Sequence, residues 1–171
     1  MDIFQISGEK PLHGTVQVSG SKNAALPLFA ASLLSDQETI LENVPDLSDI
    51  NFMAEILSEL GAEISRIDNN TWKIKPTSIS FRAPYELVRK MRASVCLLGP
   101  LVARLRRAEI PMPGGCVIGH RPIDLHVKAL QSLGAEVELS NGVVKVLGRK
   151  LRGNTIFLGG RHGSTVTGTA N

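Results

Sequence analysis

Between Ser48 and Gly61 the apolar residues Ile50, Met53, Leu57 and Leu60 recur every three or four positions, the spacing that lines one face of a helix. Ser48 stands where a helix N-cap belongs and Gly61 where a helix stops, so the segment predicts a helix capped by Ser48. After Gly61 the period changes. Ile64 to Ile67, a polar turn at Asp68-Asn69-Asn70, and Trp72 to Ile74 predict a hairpin. Upstream, Thr15-Val16-Gln17-Val18 alternates as a strand does and Asp2 to Ile6 is strand-like. Ser21 is placed to cap a helix running through Ala24, Ala25, Leu28 and Ala31, and Glu38 to Leu41 is extended again.

The pattern returns. Leu57-Ser58-Glu59-Leu60-Gly61-Ala62-Glu63-Ile64 comes back as Leu130-Gln131-Ser132-Leu133-Gly134-Ala135-Glu136-Val137, a shift of 73 residues. The same shift carries Ser21 to Ser94, Pro27 to Pro100, Leu28 to Leu101, Ala30 to Ala103 and Ile50 to Ile123. Agreement at one fixed offset over so many positions marks two copies of one supersecondary unit. In the second copy the hairpin turn is Asn141-Gly142, followed by Val143-Val144-Lys145-Val146. The expected fold class is α/β, with repeated βαβαββ-like units.

Composition narrows the class. A chain of 171 residues that is 43% apolar builds a real core, and with only 4% aromatics that core must be Leu, Ile, Val and Ala. The longest apolar candidate, Val95 to Ala103, is interrupted by Pro100 and falls short of the ~20 residues of a membrane span. Asp2 and Glu9 spoil a secretory leader, so a cytoplasmic protein without membrane contact is expected. Cys96 and Cys116 make no disulfide framework, and no Cys/His spacing resembles a metal site. Net charge is +3, with basic clusters at Arg104, Arg106 and Arg107 and at Lys145, Arg149, Lys150 and Arg152. Without stacking aromatics beside them, these read as a solvated face or as cations for a small anion rather than as a nucleic-acid surface.

Chemistry concentrates at Pro113-Gly114-Gly115-Cys116, five residues before Arg121-Pro122-Ile123-Asp124-Leu125-His126 at the expected start of a helix. Glycines admit a ligand to the backbone, and a thiol near a cation and a helix N-terminus loses its proton readily. A thiol in a glycine loop is equally compatible with a buried small hydrophobe. Cations also stand at helix starts: Lys22 in the first turn after Gly20-Ser21, Arg92 before the helix expected at Ser94, Arg121, and Arg161 within Arg161-His162-Gly163-Ser164-Thr165. A cation there opposes the helix dipole, so a negative group is expected beside it.

These residues carry a resemblance. Gly20-Ser21-Lys22-Asn23-Ala24-Ala25-Leu26-Pro27, Asn43-Val44-Pro45, Leu60-Gly61-Ala62, Met91-Arg92-Ala93-Ser94 and the whole run from Pro113 to His126 are similar to the UDP-N-acetylglucosamine 1-carboxyvinyltransferases, a family of enolpyruvyl transferases. The likeness implies an inside-out α/β barrel fold of two domains, three repeats per domain, with helix N-termini facing the cleft between them. It also implies enolpyruvyl transfer from phosphoenolpyruvate to the 3′-hydroxyl of UDP-N-acetylglucosamine, the committed step of peptidoglycan synthesis, with no cofactor and no metal. By position, Lys22 and Asn23 would hold the phosphoenolpyruvate phosphate and carboxylate, and Arg92 and Arg121 other anionic groups of the substrates. Arg121, Pro122, Ile123, Asp124 and Leu125, with Gly160, Arg161, His162 and Gly163, would line the sugar-nucleotide site. Cys116 would be the general acid and the residue alkylated by fosfomycin, and Lys22 would share in catalysis. Asp124 would orient its own helix.

The resemblance sets boundaries as well. Residues 1–20 would pack with the second domain, 21–93 and 94–166 would be the first two repeats, and 167–171 would begin a third. The second domain, with the base for the sugar hydroxyl, is expected to be missing and the chain alone to be inactive. Leu26, Leu97 and Leu101 are expected to keep apolar faces that the third repeat would cover. Two other readings stay open: a non-catalytic sugar-nucleotide-binding module, and EPSP-synthase-like transfer to a shikimate substrate.

Overall fold

A computed structural model of the chain describes residues 3–8, 11–112 and 123–158. Helix α1 (Lys22–Ala31) runs into a 3-10 turn at Ser32–Leu34, and strand β1 (Thr39–Leu41), helix α2 (Ser48–Glu59) and strands β2 (Ala62–Arg66) and β3 (Trp72–Pro76) follow. A single-turn helix α3 (Tyr85–Val88) leads to a second series. There a 3-10 segment, Arg92–Leu97, continues as α4 (Leu98–Leu105), and then come β4 (Arg107–Pro111), α5 (Asp124–Ser132), β5 (Glu136–Ser140) and β6 (Val143–Leu147).

Both series make one topology. Each sheet has three antiparallel strands with the hairpin's second strand in the middle, β1-β3-β2 in one and β4-β6-β5 in the other. The shared prolines fall inside helices in both, Pro27 in α1 and Pro100 in α4. At the second hairpin Ser140 pairs with Val143, and the two loop residues Asn141 and Gly142 have φ of 51° and 72°. Positive φ at both positions gives the turn a twist that matches the strands, which is why Asn-Gly was informative. The first hairpin needs five loop residues, Ile67 to Thr71, held by the Asp68 carboxylate accepting from the Asn70 amide at 2.7 Å.

The helices cover the sheets and share one core. On α2, Ile50, Met53 and Leu57, followed by Leu60, are all 1% exposed or less, as their spacing predicts. Trp72, Ile74 and Pro76 of β3 face inward, and the Trp72 ring meets Phe29 of α1 edge to face at 5.6 Å between centroids. Val144 and Val146 of β6 and Ala108 and Ile110 of β4 do the same work in the second sheet. Helix α1 packs on the Arg92–Leu97 segment, and α4 on the 3-10 turn after α1, so the core crosses from one series to the other.

That crossing overturns one expectation. Leu26, Leu97 and Leu101 are 4%, 0% and 0% exposed, because each series covers the other's opening helix. Among the described residues the amino-terminal stretch carries a run of uncovered apolar side chains instead, Ile3, Phe4, Ile6, Leu12, Val16 and Val18, all at least 77% exposed, and Phe157 near the other end is 81% exposed. Thr15–Val18 is accordingly not a strand: alternation supplies a face, but among the described residues no neighbouring strand pairs with it. Between the two series a parallel bridge joins Arg82 to Glu109 of β4.

Capping differs in detail. Ser21 occupies the N-cap of α1, yet its carbonyl rather than its hydroxyl serves there, accepting from the Ala24 and Ala25 amides at 3.2 and 2.9 Å. Leu47, not Ser48, is the N-cap of α2. Arg92 opens its 3-10 segment instead of preceding a helix at Ser94, and the buried Ser94 hydroxyl donates to the Met91 carbonyl at 2.7 Å.

The basic cluster at Arg104, Arg106 and Arg107 is not one solvated face. Arg104 donates to the carbonyls of Leu33 and Ser35, both at 2.7 Å, and to the Asp36 carboxylate. Arg106 turns the chain out of α4 at φ 58°. Arg107 binds Glu109 at 2.5 Å and lies 4.2 Å from the Phe81 ring centroid. Among the described residues no helix is long and apolar enough to cross a membrane.

Candidate active site

The loop into α1 is fixed by close contact with the segment before α2. The Gly20 amide donates to the Asn43 side-chain oxygen at 3.2 Å, and a Cβ on Gly20 would sit 1.8 Å from the Asn43 backbone oxygen. Only glycine permits that approach. The other side of the Asn43-Val44-Pro45 segment is tied to the first hairpin. The Val44 amide donates to the Asn70 carbonyl at 2.8 Å, and the Asn70 side chain returns a bond to the Val44 carbonyl at 2.9 Å. Val44 and Pro45 are buried, so the segment is an anchored shelf.

On this shelf the starts of α1 and α2 come together. Lys22, the first residue of α1, donates from Nζ to Oδ2 of Asp49, in the first turn of α2, at 2.7 Å. The two side chains are 44% and 36% exposed, so the pair remains open to solvent. Lys22 opposes the dipole of its own helix, whereas Asp49 suits that of α2, and the pair relieves the first by means of the second. The negative group expected beside Lys22 is therefore present within the chain. Asp49 went unnoticed in the sequence because an acidic residue in a first helical turn is an ordinary helix stabiliser.

Asn23 is exposed beside Lys22. Arg92 is half-buried at the start of the segment that packs on α1, which brings the Lys22-Asn23 element and the Arg92 element into contact. Ile123 is buried at the N-cap of α5, Asp124 is exposed in its first turn and Leu125 is half-buried. Cys116, Arg121, Pro122, Gly160, Arg161, His162 and Gly163 lie outside the described residues. The other thiol, Cys96, sits half-buried in the 3-10 segment, and burial pushes its pKa up, away from the reactive thiolate.

The arrangement offers an ammonium, an exposed amide side chain and helix-start N–H groups at one solvent-open edge, a set suited to phosphate or carboxylate. The sequence model of the EPSP synthase (3-phosphoshikimate 1-carboxyvinyltransferase) family matches residues 6–170. The chain belongs to the EPSP synthase family. Within it, the chain is 53% identical over 171 residues to a UDP-N-acetylglucosamine 1-carboxyvinyltransferase of Methylacidiphilum infernorum, covering 100% of this chain and 40% of the relative. It is 49% identical over 172 residues to the protein of that name from Akkermansia muciniphila, with the same coverage. The chain thus spans about 40% of the length of the curated relatives it matches. The enolpyruvyl transferase NikO from Streptomyces tendae superposes with a TM-score of 0.68 at 23% identity, over 82% of this chain and 31% of that one. That likeness carries the fold: a partial enolpyruvyl transferase domain of mixed α/β structure.

Proposed function

We propose that the chain forms the amino-terminal part of an enzyme transferring the enolpyruvyl group of phosphoenolpyruvate to the 3′-hydroxyl of UDP-N-acetylglucosamine, with release of phosphate. The observation that carries the reading is the level of identity, 53% across all 171 residues, to a relative named for that reaction. The family match alone would leave a shikimate acceptor equally open. The geometry of the Lys22 edge supports the phosphoenolpyruvate half of the reading.

In this account residues 21–93 and 94–166 are two repeats, and residues 1–20 pack with a second domain. Lys22 and Asn23 hold the phosphate and carboxylate of phosphoenolpyruvate, and Arg92 and Arg121 meet further anionic groups. Arg121 to Leu125 and Gly160 to Gly163 line the sugar nucleotide. The 3′-hydroxyl oxygen bonds to C2 of phosphoenolpyruvate while its proton passes to a base in the remaining part of the enzyme. As the C2–C3 double bond opens, C3 takes a proton with Cys116 as general acid, and phosphate then leaves C2 of the tetrahedral intermediate as C3 gives up a proton and the double bond re-forms. The site works in the cytoplasm on small-molecule substrates, with no nucleic acid and no membrane surface involved.

The test joins the full chain to the part of the Methylacidiphilum infernorum relative that follows its matched region, and follows phosphate release with two acceptors. Release should require UDP-N-acetylglucosamine. Release driven by shikimate 3-phosphate instead would overturn the assignment.

A further inference from the structure

We infer that Asp49 is a positioning residue for the transfer reaction, acting through Lys22 without touching substrate. The inference rests on the reading of Lys22 as the cation that holds phosphoenolpyruvate. A lysine carries a point charge on four rotatable carbons, and an anion that must first immobilise it loses affinity and alignment. Here the ammonium is already held, 2.7 Å from Asp49 Oδ2. One of its three N–H donors serves that contact, and two remain for an incoming anion.

The placement of Asp49 makes it a good anchor. It stands in the first turn of α2, where the helix field favours a carboxylate, and α2 buries Ile50 and Met53 immediately beyond it. The shelf that carries it is bound to the loop before Lys22 through the Gly20 amide and the Asn43 side chain, so both ends of the pair are set on the same support. A half-exposed ion pair of this kind adds little to stability, and the fold does not need it as a fastener. Its consequence falls on the direction in which Lys22 points.

The experiment uses the full chain joined to the remainder of its relative, with turnover of phosphoenolpyruvate and UDP-N-acetylglucosamine as readout. Asp49→Asn should lower kcat/KM for phosphoenolpyruvate by about tenfold or more, since misplacing a substrate-holding group has effects of that size. The melting temperature should not change. Asp49→Glu, which keeps the charge, should recover part of the loss. On a Lys22→Ala background, Asp49→Asn should add nothing, because the residue through which it acts is gone. An Asp49→Asn enzyme with unchanged or improved kcat/KM would overturn the inference while leaving the function intact. So would equal losses with and without Lys22. Absence of turnover in the unmutated enzyme would instead count against the proposed function itself.

Discussion

Truncating Arg104 should show how the two series are held together. The residue lies in the last turn of α4, its side chain is 16% exposed, and its guanidinium reaches across to the end of the helix that α1 begins. There it donates to the Leu33 and Ser35 carbonyls and to Asp36. A helix end carries partial negative charge on unpaired carbonyls, so this cation is well placed. Hydrogen bonds to a charged group are each worth about 1.5–3 kcal/mol. Ser35 and Asp36 are exposed, and their share is reduced by solvent, which leaves roughly 2–3 kcal/mol for the whole contact. For a chain of this size that corresponds to a melting temperature lower by about 4–12 °C. Thermal and urea denaturation of Arg104→Ala, followed by circular dichroism, should show that drop with an unchanged urea slope. Arg104→Lys should recover less than half of it, because a single ammonium cannot span two carbonyls and a carboxylate. Arg149→Ala, at an exposed position, is the control. A loss below about 0.5 kcal/mol in Arg104→Ala, the size of an ordinary surface change, would refute the reasoning.

The carboxyl of Glu109 feels burial, which raises its pKa, and hydrogen bonds from Arg107 and Arg82, which together lower it below the usual 4.5. Its stabilising effect is therefore complete above the unfolded pKa and lost as pH falls through the lower folded value, so melting temperature should decline from about pH 5 downward and Glu109→Gln should flatten that decline. Maleimide labelling of the joined enzyme, read by mass spectrometry, should find Cys116 modified well before Cys96, whose thiol is half-buried and kept protonated. Cys96 modified first would reverse the assignment of the reactive thiol.

Much of this architecture was legible in the sequence where a signal is local. The face of α2 is a run of spacings, the Asn141-Gly142 turn is two residues of known conformation, and the 73-residue shift announced that both sheets share an order. What failed was non-local. Thr15–Val18 alternates correctly, yet a strand also needs a neighbour, which alternation does not report. Leu26, Leu97 and Leu101 were expected to be bare because each series was read alone, and in three dimensions they cover one another. Arg104 looked like part of a charge cluster because two of its three partners are backbone carbonyls, which have no residue signature, and the third, Asp36, is 68 positions away. At the site, the Gly20 and Asn43 motifs were visible as strings, but their contact was not. The tie from Lys22 to Asp49 bridges residues 27 positions apart and appears only when both helix starts are placed on one shelf.

Lys22 should decide how firmly an anion is held in turnover. Phosphate release from phosphoenolpyruvate and UDP-N-acetylglucosamine should be measured for the 171-residue chain, for the chain joined to the remainder of its relative, and for the joined enzyme carrying Lys22→Ala. The chain alone should release none and the joined enzyme should turn over. Lys22→Ala should lower kcat/KM by on the order of a hundredfold or more while remaining folded, as removal of a preorganised contact to developing charge does elsewhere. A folded Lys22→Ala enzyme with undiminished kcat/KM would make Lys22 a surface cation and contradict the account.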